Sequence, residues 1–487
     1  MREDLKNLLP KIPHREFFVS LFGGDVFLVG GGVRDLLLGK ELKEIDLIVL
    51  HHPIEEIVEK LKPHGKISLV GKSFAVLKFH YGGGIIEISI PRKERRASPD
   101  SWSHKNFLVQ ADPELPLEED LRRRDFTVNS MALNLLTGEL VDPLGGREDL
   151  RRRILRMTNP RAFADDPLRV IRAARFAAKL SFKIDPEIYE KAKGVEFSEL
   201  PRERILEEIF KINLTEHPEK AWEEFLPLTV LEKVFPCLYR LTFWIQDGVF
   251  HPETDPFGNH TVWPHVLLTI MQAARLAGAF SLEEPQRHAL LFAALLHDVE
   301  KPSCSRWEWR EGRMVVRSMG HDVEGEKTAE EFCQRLGIYT YRGYPLRERI
   351  VKLVRVHHRP SEIYNNREEV TRRAFNRLAK ELDGEYILAV LLDAADRNAR
   401  GQAPLQDLDE VGKWLLEKFR EFNADQAIKP LIMGRDLIAL GFKPGPKMGK
   451  ILRRLYELQL DGVFTTREEG LRLAPRVSKE LFGKERV

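Results

Sequence analysis

The segment that decides the fold runs from Val26 to Asp35 and reads VFLVGGGVRD. Its four apolar residues have the length and composition of a buried strand, and a helix-like segment opens after the three glycines. Glycine lets backbone N–H groups approach an anion, and a helix N-terminus favours negative charge. The pattern predicts a strand, a phosphate-binding turn and a helix. A tight glycine turn without a ligand is the alternative for such a loop in isolation.

Two carboxylates, Glu44 and Asp46, open the next apolar segment. Residues i and i+2 of a strand point to the same face, so both side chains aim at one spot. Paired oxygen ligands suit a Mg²⁺ ion that is shared with substrate phosphates. Glu87, on a later predicted strand, is a candidate third carboxylate. The alternative is a pair of acids at a solvated strand start.

The surrounding sequence alternates strand-like and helix-like segments up to about residue 90, which predicts a small mixed α/β domain. Charge, proline and serine without periodicity predict a loop over 92–116, and a strand-like stretch follows at 125–135. From residue 147 helical periodicity dominates. We therefore expect an α+β protein with a mixed-sheet head and a mainly helical remainder. The predicted domains are 1–146, 147–225, 226–421 and 422–487. The predicted strands are 26–29, 46–50, 75–81 and 85–90, with a helix at 54–61.

Length and composition exclude several classes of protein. The chain has 487 residues, which is enough for several hydrophobic cores. Its composition, with 43% hydrophobic and 31% charged residues, argues against a disordered or fibrous protein. The longest apolar run, 289–296, is far shorter than the roughly 20 residues of a membrane span. We expect no membrane segment and no secretion signal. Three widely spaced cysteines fit neither a disulfide framework nor a cysteine-rich zinc site, and predict a cytoplasmic protein.

Positive charge is concentrated between Arg147 and Lys183, where nine Arg and two Lys face four acids. Such a segment is typical of a surface that binds a polyphosphate or an RNA backbone. A solvated helical face with internal salt bridges explains it equally well.

Two further motifs follow the glycine turn and the acidic pair, and they carry a family resemblance. Residues 123–132 read RRDFTVNSMA and residues 165–169 read DDPLR. In this order and spacing, over about residues 20–215, the motifs resemble the class II tRNA nucleotidyltransferase and bacterial poly(A) polymerase family. One position departs from the family's Asp-x-Asp pattern, since Glu44 is one methylene longer than aspartate.

The resemblance implies roles for residues of these motifs. It implies that Glu44 and Asp46 are catalytic metal ligands and that the segment at 124–129 holds the ribose. For Arg123 and Arg124, pairing with Glu118, Glu119 or Asp120 is an open alternative. The implied nucleotide-binding residues are Gly31, Gly32, Arg34, Arg124, Asp125, Thr127 and Asn129.

The neck motif predicts how a base is selected. Asp166 and Arg169 lie three residues apart at a predicted helix start and share a face. The carboxylate accepts and the guanidinium donates, which matches the Watson–Crick edges of cytosine and adenine but not of uracil or guanine. A simple i,i+3 salt bridge is the alternative. Arg172 and Arg175 extend the face as candidate triphosphate or RNA contacts, or they pair with acids elsewhere.

The central region carries an ordered set of histidines and aspartates. Imidazoles and carboxylates on several helices can hold one or two divalent ions and activate water against a phosphate ester. The set resembles the HD phosphohydrolase superfamily, although Glu300 stands where the motif usually continues with Gly. His251 and His260 are interpreted as structural. The implied ligands of a divalent metal are His265, His297, Asp298 and Asp396, with His321, His357 and His358 as candidates for a second ion.

Together these motifs predict template-independent addition of CMP and AMP to tRNA 3′ ends from CTP and ATP, with an HD phosphohydrolase acting on 2′-nucleotides and 2′,3′-cyclic ends. CC-adding, A-adding and poly(A) polymerase activities share the same motifs and stay open. An HD phosphohydrolase with a weakened RNA-binding head is a further alternative. The segment 433–450, with Arg453 and Arg454, looks like the tail of the same enzymes and is a candidate tRNA contact, or only a solvated basic helix.

Overall fold

The chain folds into two compact units, Met1–Pro236 and Cys237–Val487. The computed structural model describes residues 5–70, 76–96, 107–160, 163, 166–310, 312–400, 407–422, 424 and 429–483. Asp165, quoted above within the neck motif, lies outside these residues. The bounds of the four predicted domains stay predictions.

A seven-stranded mixed sheet forms the head, in the order β3-β4-β5-β2-β1-β8-β9. Strands β2 and β5 are parallel, and the other neighbours are antiparallel. The expected mixed α/β head is thereby confirmed. The strands are β1 Val26–Val29, β2 Ile45–Val49, β3 Lys66–Val70, β4 Val76–Tyr81, β5 Gly84–Ser89, β6 Arg92–Arg96, β7 Phe107–Ala111, β8 Ala132–Asn134 and β9 Leu140–Val141.

Strand β1 lies inside the sheet because all four of its residues are apolar and buried. Phe27 and Val29 pack against Ile48 of β2 and against Leu117 and Leu121. As a result, the glycine turn that follows β1 and the acidic pair that opens β2 lie on neighbouring strands.

Two expectations for the head are wrong in detail. Within the expected loop 92–116, β6 and β7 pair as an antiparallel hairpin, with 97–106 outside the described residues. Within the expected strand 125–135, only Ala132–Asn134 is a strand, and Thr127–Asn129 forms a 3₁₀ turn. In the first segment, cross-strand pairing stabilises charged strands that lack apolar alternation. In the second segment, buried polar side chains bend the backbone.

Helices make up most of the rest of this unit. The helix Leu168–Leu180 begins directly after Pro167, as the neck motif predicts, and buries ten of its side chains. The short strands β10 Ile154–Leu155 and β11 Lys183–Ile184 pair in parallel beside it. The helices are Arg15–Phe22, Gly31–Leu37, Ile54–Leu61, Leu117–Arg122, Gly146–Arg152, Leu168–Leu180, Pro186–Lys193, Arg202–Asn213, Pro218–Glu224 and Val230–Val234, with 3₁₀ turns at Leu5–Lys11, Gly23–Asp25 and Thr127–Asn129.

The second unit is helical, as expected, with one exception. Strands β12 Ser305–Arg310 and β13 Arg313–Ser318 form an antiparallel hairpin that the sequence analysis does not predict. The helices from residue 236 on are Pro236–Tyr239, Val262–Ala279, Glu284–Leu296, Lys301–Cys304, His321–Leu336, Leu346–Val356, Arg359–Asn365, Arg372–Glu381, Tyr386–Arg397, Glu410–Glu421, Gly434–Ala439, Pro446–Leu460 and Arg467–Phe482, with a 3₁₀ turn at Arg240–Thr242.

The last three helices share a core of their own, built from Leu437, Ile451, Leu455, Ala474 and Val477. Across the described part of the chain, no helix combines the length and hydropathy needed to span a membrane. All three cysteines carry free thiols.

Candidate functional site

The glycine turn after β1 requires glycine at its first position. Gly30 has φ of 67°, in the left-handed region. A Cβ there would lie 2.9 Å from Nη1 of Arg124 and 3.9 Å from Oδ2 of Asp46. Gly31 begins the next helix and lines the cavity described below. Gly32 is buried, and a Cβ there would lie 3.0 Å from the Leu28 side chain, so its absence lets helix and strand pack closely.

The two predicted metal ligands lie beside this turn, at the start of β2. Glu44 and Asp46 both line the same cavity, and Asp46 lies opposite Glu87 of β5 in the parallel register. Burial raises the pKa of Asp46 to about 6, the Glu87 carboxylate adds to the rise, and the Arg124 guanidinium opposes it. Because clustered carboxylates repel one another, a divalent cation fits this donor set.

The cavity has a volume of about 750 Å³ and is strongly basic. Ten basic side chains and four carboxylates line it, an excess that suits a polyanion such as a triphosphate. The basic residues are Arg34, Arg92, Arg123, Arg124, Arg169, Arg172, Arg175, Lys179, Arg204 and Lys211, and the acidic residues are Glu44, Asp46, Asp125 and Asp166.

A buried network fixes the predicted ribose-binding residues. Arg172 donates to Oδ2 of Asp125 at 2.6 Å, and Nδ2 of Asn129 donates to Oδ1 of the same carboxylate at 3.1 Å. Arg34 donates to Oδ1 of Asn129 at 2.6 Å. Burial alone would raise the pKa of Asp125, but Arg172 and Asn129 hold it below its usual value. The structure thus holds Asp125 as a carboxylate and Asn129 in one orientation.

Thr127, Arg123 and Arg124 of the same motif also have protein partners. The hydroxyl of Thr127 donates to Oδ2 of Asp149 at 2.7 Å. Arg123 and Arg124 pair with the buried Asp120 at 2.7 and 3.2 Å, which is one of the acidic partners considered as the alternative to nucleotide binding. Both arginines also line the cavity. Thr127 therefore supports the turn, while the two arginines are held at the cavity wall.

Asp166 and Arg169, the pair predicted to read the base, also line the cavity. Asp166 accepts two hydrogen bonds from Arg204, at 2.9 and 3.2 Å. Arg169 donates to the backbone carbonyl of Arg123 at 2.7 Å. Asp166 further accepts from the backbone N–H of Leu168 at 3.1 Å, which orients its carboxylate at the helix start.

The sequence analysis misses the acids and bases that hold these side chains. Glu208 pairs with Arg172 at 3.5 Å and with Arg175, so both arginines contact acids while lining the cavity. Arg204 lies in the first turn of the helix Arg202–Asn213. A cation there opposes the helix dipole, and this is the signal that could have identified Arg204.

In the second unit, all of the predicted HD ligands lie in one cluster, which is buried except for the half-buried His358. Nε2 of His265 is 2.9 Å from Oδ1 of Asp396, and Nε2 of His297 is 3.2 Å from Oδ2 of Asp298. Oδ1 of Asp298 lies 3.2 Å from Nε2 of His321. Among the described residues, the possible metal ligands form three groups, which are His265, His297 and Asp396, then His321, His357 and His358, and then His251, Glu253 and His265.

Backbone carbonyls fix the tautomers of three of these histidines. Nδ1 of His297, His321 and His357 donates to the carbonyls of Ala294, Ser318 and Val354 at 2.8, 2.6 and 2.7 Å. Each Nε2 is therefore left as a ligand that faces the cluster.

The donor set fits a divalent metal. Nε2 of His321 lies 3.3 Å from Nε2 of His357 and 3.2 Å from Nε2 of His358, so nitrogen lone pairs converge on one point. Burial and the neighbouring His358 and His321 rings hold the pKa of His357 well below its usual value, which keeps this ligand neutral. Burial alone would raise the pKa of Asp396, but the hydrogen bond to His265, together with the charges of His297 and the other histidines, holds it well below its usual value.

Further residues support the cluster from behind. Oε1 of Glu253 lies 3.0 Å from Nδ1 of His265 and 3.0 Å from Nδ1 of His251, and Lys301 lies 2.7 Å from Asp298. Because His251 and Glu253 are only two residues apart, the sequence could have suggested the contact between these two side chains. His251, interpreted as structural, thus lies against the cluster, with its ring 4.5 Å from that of His265.

The departure at Glu300 leaves the metal cluster intact. Glu300 has φ of −103°, a conformation open to any residue, so glycine is not required there. Its carboxylate accepts from Thr328 at 2.6 Å and pairs with Arg240, and it anchors the loop after the His-Asp motif.

Known proteins match both halves of the chain. Residues 26–156 match the Poly A polymerase head domain, and residues 262–401 match the HD domain. The multifunctional CCA protein of Actinobacillus pleuropneumoniae is 32% identical over 415 residues, 83% of this chain and 93% of that protein. This chain belongs to the multifunctional CCA protein family. The resemblance to class II nucleotidyltransferases is thereby confirmed.

Another multifunctional CCA protein, of Methylococcus capsulatus, is 33% identical over 441 residues, 88% of this chain and 92% of its own. Solved structures of a CCA-adding enzyme with CTP and with ATP share the fold, with TM-scores of 0.61 and 0.62 at 22% identity. Each covers 97% of this chain and 98% of the other. The family fold therefore extends over both units.

Proposed function

We propose that this protein adds CMP and AMP to the 3′ end of tRNA, taking them from CTP and ATP. The observation that carries the proposal is the basic cavity of the first unit, where the glycine turn, the acidic pair and the Asp166–Arg204 pair line one space. Relatives named multifunctional CCA protein favour the complete CCA sequence over the CC-adding, A-adding and poly(A) alternatives.

In this reaction the terminal 3′-hydroxyl oxygen of the RNA attacks the α-phosphorus of the nucleotide, and pyrophosphate leaves. A Mg²⁺ ion held by Glu44 and Asp46 would neutralise charge that develops on the phosphates. The turn at Gly30 and Gly31 gives the phosphates close access to the backbone, while the basic wall with Arg124 and Lys179 attracts them. Asp125 and Asn129, already oriented by Arg172 and Arg34, accept from and donate to the ribose hydroxyls.

Base selection follows from the state of Asp166. Two hydrogen bonds from Arg204 orient its side chain, and a carboxylate can only accept hydrogen bonds. Cytosine and adenine each present an amino group to such an acceptor, whereas uracil and guanine present a carbonyl oxygen. Arg169 supplies the donor for the ring nitrogen. This pair selects C and A without a template.

The second unit supports a second activity, hydrolysis of phosphate esters at 2′-nucleotides and 2′,3′-cyclic ends. The observation that favours it is the convergence of the Nε2 atoms of His321, His357 and His358 beside Asp298. Divalent ions bound there would supply an activated water. We further place the protein in the cytoplasm, a reducing compartment that suits three free thiols.

The nucleotidyl transfer is tested by supplying the full chain with Mg²⁺, a tRNA transcript that lacks its CCA end, and each nucleotide triphosphate in turn. We expect incorporation from CTP, and from ATP once two C residues are present. UTP and GTP should be refused, and their incorporation as readily as CTP would refute the proposed base reading.

A further inference from the structure

One face of the hairpin formed by β12 and β13 carries four arginines in two pairs. The antiparallel register sets Arg306 opposite Arg317 and Arg310 opposite Arg313. Residues that lie opposite each other share a face of the hairpin, and like charges in that position destabilise the pairing of the strands. An anion bound between such pairs relieves the repulsion. We call these four residues the arginine row.

The arginine row faces a cavity of about 530 Å³, which we call the HD cavity. Arg310, Arg313 and Arg317 line it, and Val315 on the same face of the hairpin is buried. This volume suits a ligand of nucleotide size. The same cavity is lined by the candidate metal ligands Asp298, His321, His358 and Asp396.

The chain connects the arginine row directly to the metal cluster. Arg317 precedes Ser318, whose carbonyl accepts a hydrogen bond from Nδ1 of His321 at 2.6 Å. Nε2 of the same histidine lies 3.2 Å from Oδ1 of Asp298. Arg313 lies four residues before Arg317, which is about 13 Å along the strand at roughly 3.3 Å per residue. A ligand bound along the row therefore has one end close to the metal cluster.

Acidic neighbours compensate only part of the positive charge of the arginine row. Among the described residues, Glu308 pairs with both Arg310 and Arg317, at 3.1 and 4.0 Å. One carboxylate thus serves two guanidinium groups. Its side chain is 39% exposed, so both ion pairs are weakened by water.

Arg313 is held in place through one of its three nitrogens. Nη1 donates to both oxygens of Asp247, at 2.8 and 3.1 Å. Within the described part of the chain, Nε and Nη2 of Arg313 have no hydrogen-bond partner. Arg400, exposed at the wall of the same cavity, has no ion pair with any described residue. The HD cavity therefore presents guanidinium donors that the protein itself does not use.

We propose that the arginine row is a second phosphate site of the HD cavity, which binds a phosphate on the 5′ oxygen of a nucleotide whose 2′ phosphate ester lies at the metal cluster. Guanidinium groups donate paired hydrogen bonds that match phosphate oxygens. The inference rests on the proposed phosphohydrolase and deepens it, because it makes a nucleotide with two phosphates the preferred substrate. A free nucleotide and the last phosphodiester of an RNA both present a phosphate at that oxygen.

The hydrolysis leaves the second phosphate unchanged. The oxygen of a water molecule attacks the phosphorus of the 2′ ester, and the bond from phosphorus to the 2′ oxygen breaks. A proton from the water ends on that oxygen, so the products are a 2′-hydroxyl and inorganic phosphate. The arginine row holds the 5′ phosphate and takes no part in these bonds.

The first test is the preference for two phosphates over one. Full-length protein is assayed on adenosine 2′-monophosphate and on adenosine 2′,5′-bisphosphate by release of phosphate. We expect kcat/KM to be about 10- to 100-fold higher for the bisphosphate, the value of one hydrogen bond to a charged group. In an Arg310→Gln/Arg317→Gln variant this preference should disappear, mainly through the KM for the bisphosphate. Equal kcat/KM for the two substrates in the wild type would overturn the inference.

The double variant leaves the rest of the cavity in place. It frees only the partly exposed Glu308 and keeps Arg313 paired with Asp247, so hydrolysis of the monophosphate should stay within about twofold of the wild type. Arg420→Gln, at an exposed arginine on the helix Glu410–Glu421, is the matched control and should keep the preference. A double variant that also kept the full preference would exclude the arginine row as the phosphate site.

A third substrate identifies the source of the second phosphate. A dinucleotide with a 2′ phosphate on its 3′-terminal residue carries a phosphodiester at the same 5′ oxygen. A kcat/KM above that of the bisphosphate assigns the site to an RNA end, and a lower one assigns it to a free nucleotide. Either assignment requires that the preference is lost in the double variant.

A second measurement separates the phosphate site from the phosphohydrolase. Phenylglyoxal modifies the arginines of the full chain, and the modified peptides are mapped by mass spectrometry. Adenosine 2′,5′-bisphosphate, which keeps its 5′ phosphate even after hydrolysis, should protect Arg310, Arg313 and Arg317, whereas Arg420 stays reactive. Protection without hydrolysis of any substrate would support the site and refute only the hydrolase. Hydrolysis without protection would overturn the site and leave the hydrolase standing.

Discussion

The two candidate sites offer different kinds of ligand to a cation. In the first unit, Glu44 and Asp46 are carboxylates at the wall of a basic cavity, with Glu87 near Asp46. In the second unit, imidazoles and carboxylates surround one buried point, and their outer nitrogens are held by backbone carbonyls or Glu253. The first site is incomplete until a triphosphate supplies more oxygen ligands, whereas the second has its ligands in place.

This difference accounts for the two chemistries. Glu44 and Asp46 would hold a metal ion jointly with the phosphates of the nucleotide, an arrangement that suits phosphoryl transfer from a triphosphate. A metal held by protein ligands alone stays to activate water, which suits hydrolysis. The comparison predicts that the two activities can be removed one at a time.

The largest expected effect comes from Asp46→Asn. Loss of one charged ligand should lower kcat for nucleotide addition about 10³-fold, because several kcal/mol of charge stabilisation disappear. Phosphohydrolase activity should stay within about twofold of the wild type. Primer extension and release of phosphate from a cyclic nucleotide measure the two rates.

Glu59→Gln, an exposed acid on the helix Ile54–Leu61, is the control and should leave both rates unchanged. Asp298→Asn should have the reverse effect, so that hydrolysis is lost and nucleotide addition is retained. Parallel loss of both activities in either variant would contradict the separation of the sites.

The next effect concerns base selection. Asp166→Asn keeps the shape but adds an amide donor that can serve the carbonyl oxygens of uracil and guanine. Discrimination of CTP against UTP should fall by about 10- to 100-fold, the value of one good hydrogen-bonded contact to a base. Single-turnover kcat/KM with each nucleotide measures it, and the exposed Glu187→Gln is the control. Unchanged discrimination would remove Asp166 from base reading.

An effect of similar size, but on metal affinity, is expected from a change at Glu253, which contacts a histidine of the HD cluster. Glu253→Gln weakens the hold on Nδ1 of His265 without touching the metal-facing nitrogen. Metal affinity should fall about 10- to 100-fold, as is typical when the partner of a histidine ligand is lost. Titration of the metal-free protein with Mn²⁺ measures this, beside the exposed Glu331→Gln. An unaltered affinity would show that Glu253 does not position His265.

The smallest effect is a shift in pH dependence. Asp46 must be ionised to hold a cation, so kcat/KM for addition at limiting Mg²⁺ should rise as the pH rises through about 6. Glu87→Gln removes a like charge, lowers the pKa of Asp46 and should move this rise to lower pH by a fraction of a unit. A shift to higher pH would contradict the assigned cause.

Local patterns in the sequence predict the elements that carry apolar periodicity. Val26–Val29 and Ile54–Leu61 are observed with the predicted bounds. The strand Lys66–Val70 and the charged strand Arg92–Arg96 are missed. Each is stabilised by pairing with the next strand along the chain, and Arg92–Arg96 contains no apolar residue that would indicate a strand by itself.

The same limit applies to the sites. Residues within motifs, such as Asp46 and Asp166, can be predicted because their spacing carries the chemistry. Arg204, Glu208 and Glu253 belong to no motif and cannot be predicted in this way, since each is a single charged residue whose role arises from its tertiary contacts. The motif residues identify the reaction, and these partners hold the motif residues in place.

The most direct measurement resolves, at single-nucleotide length, the products formed from a tRNA transcript without its CCA end, with CTP alone and with CTP and ATP together. The account predicts two additions with CTP alone and a third, final addition when ATP is present. No extension, a halt after two additions with both nucleotides, or tailing without limit would contradict it.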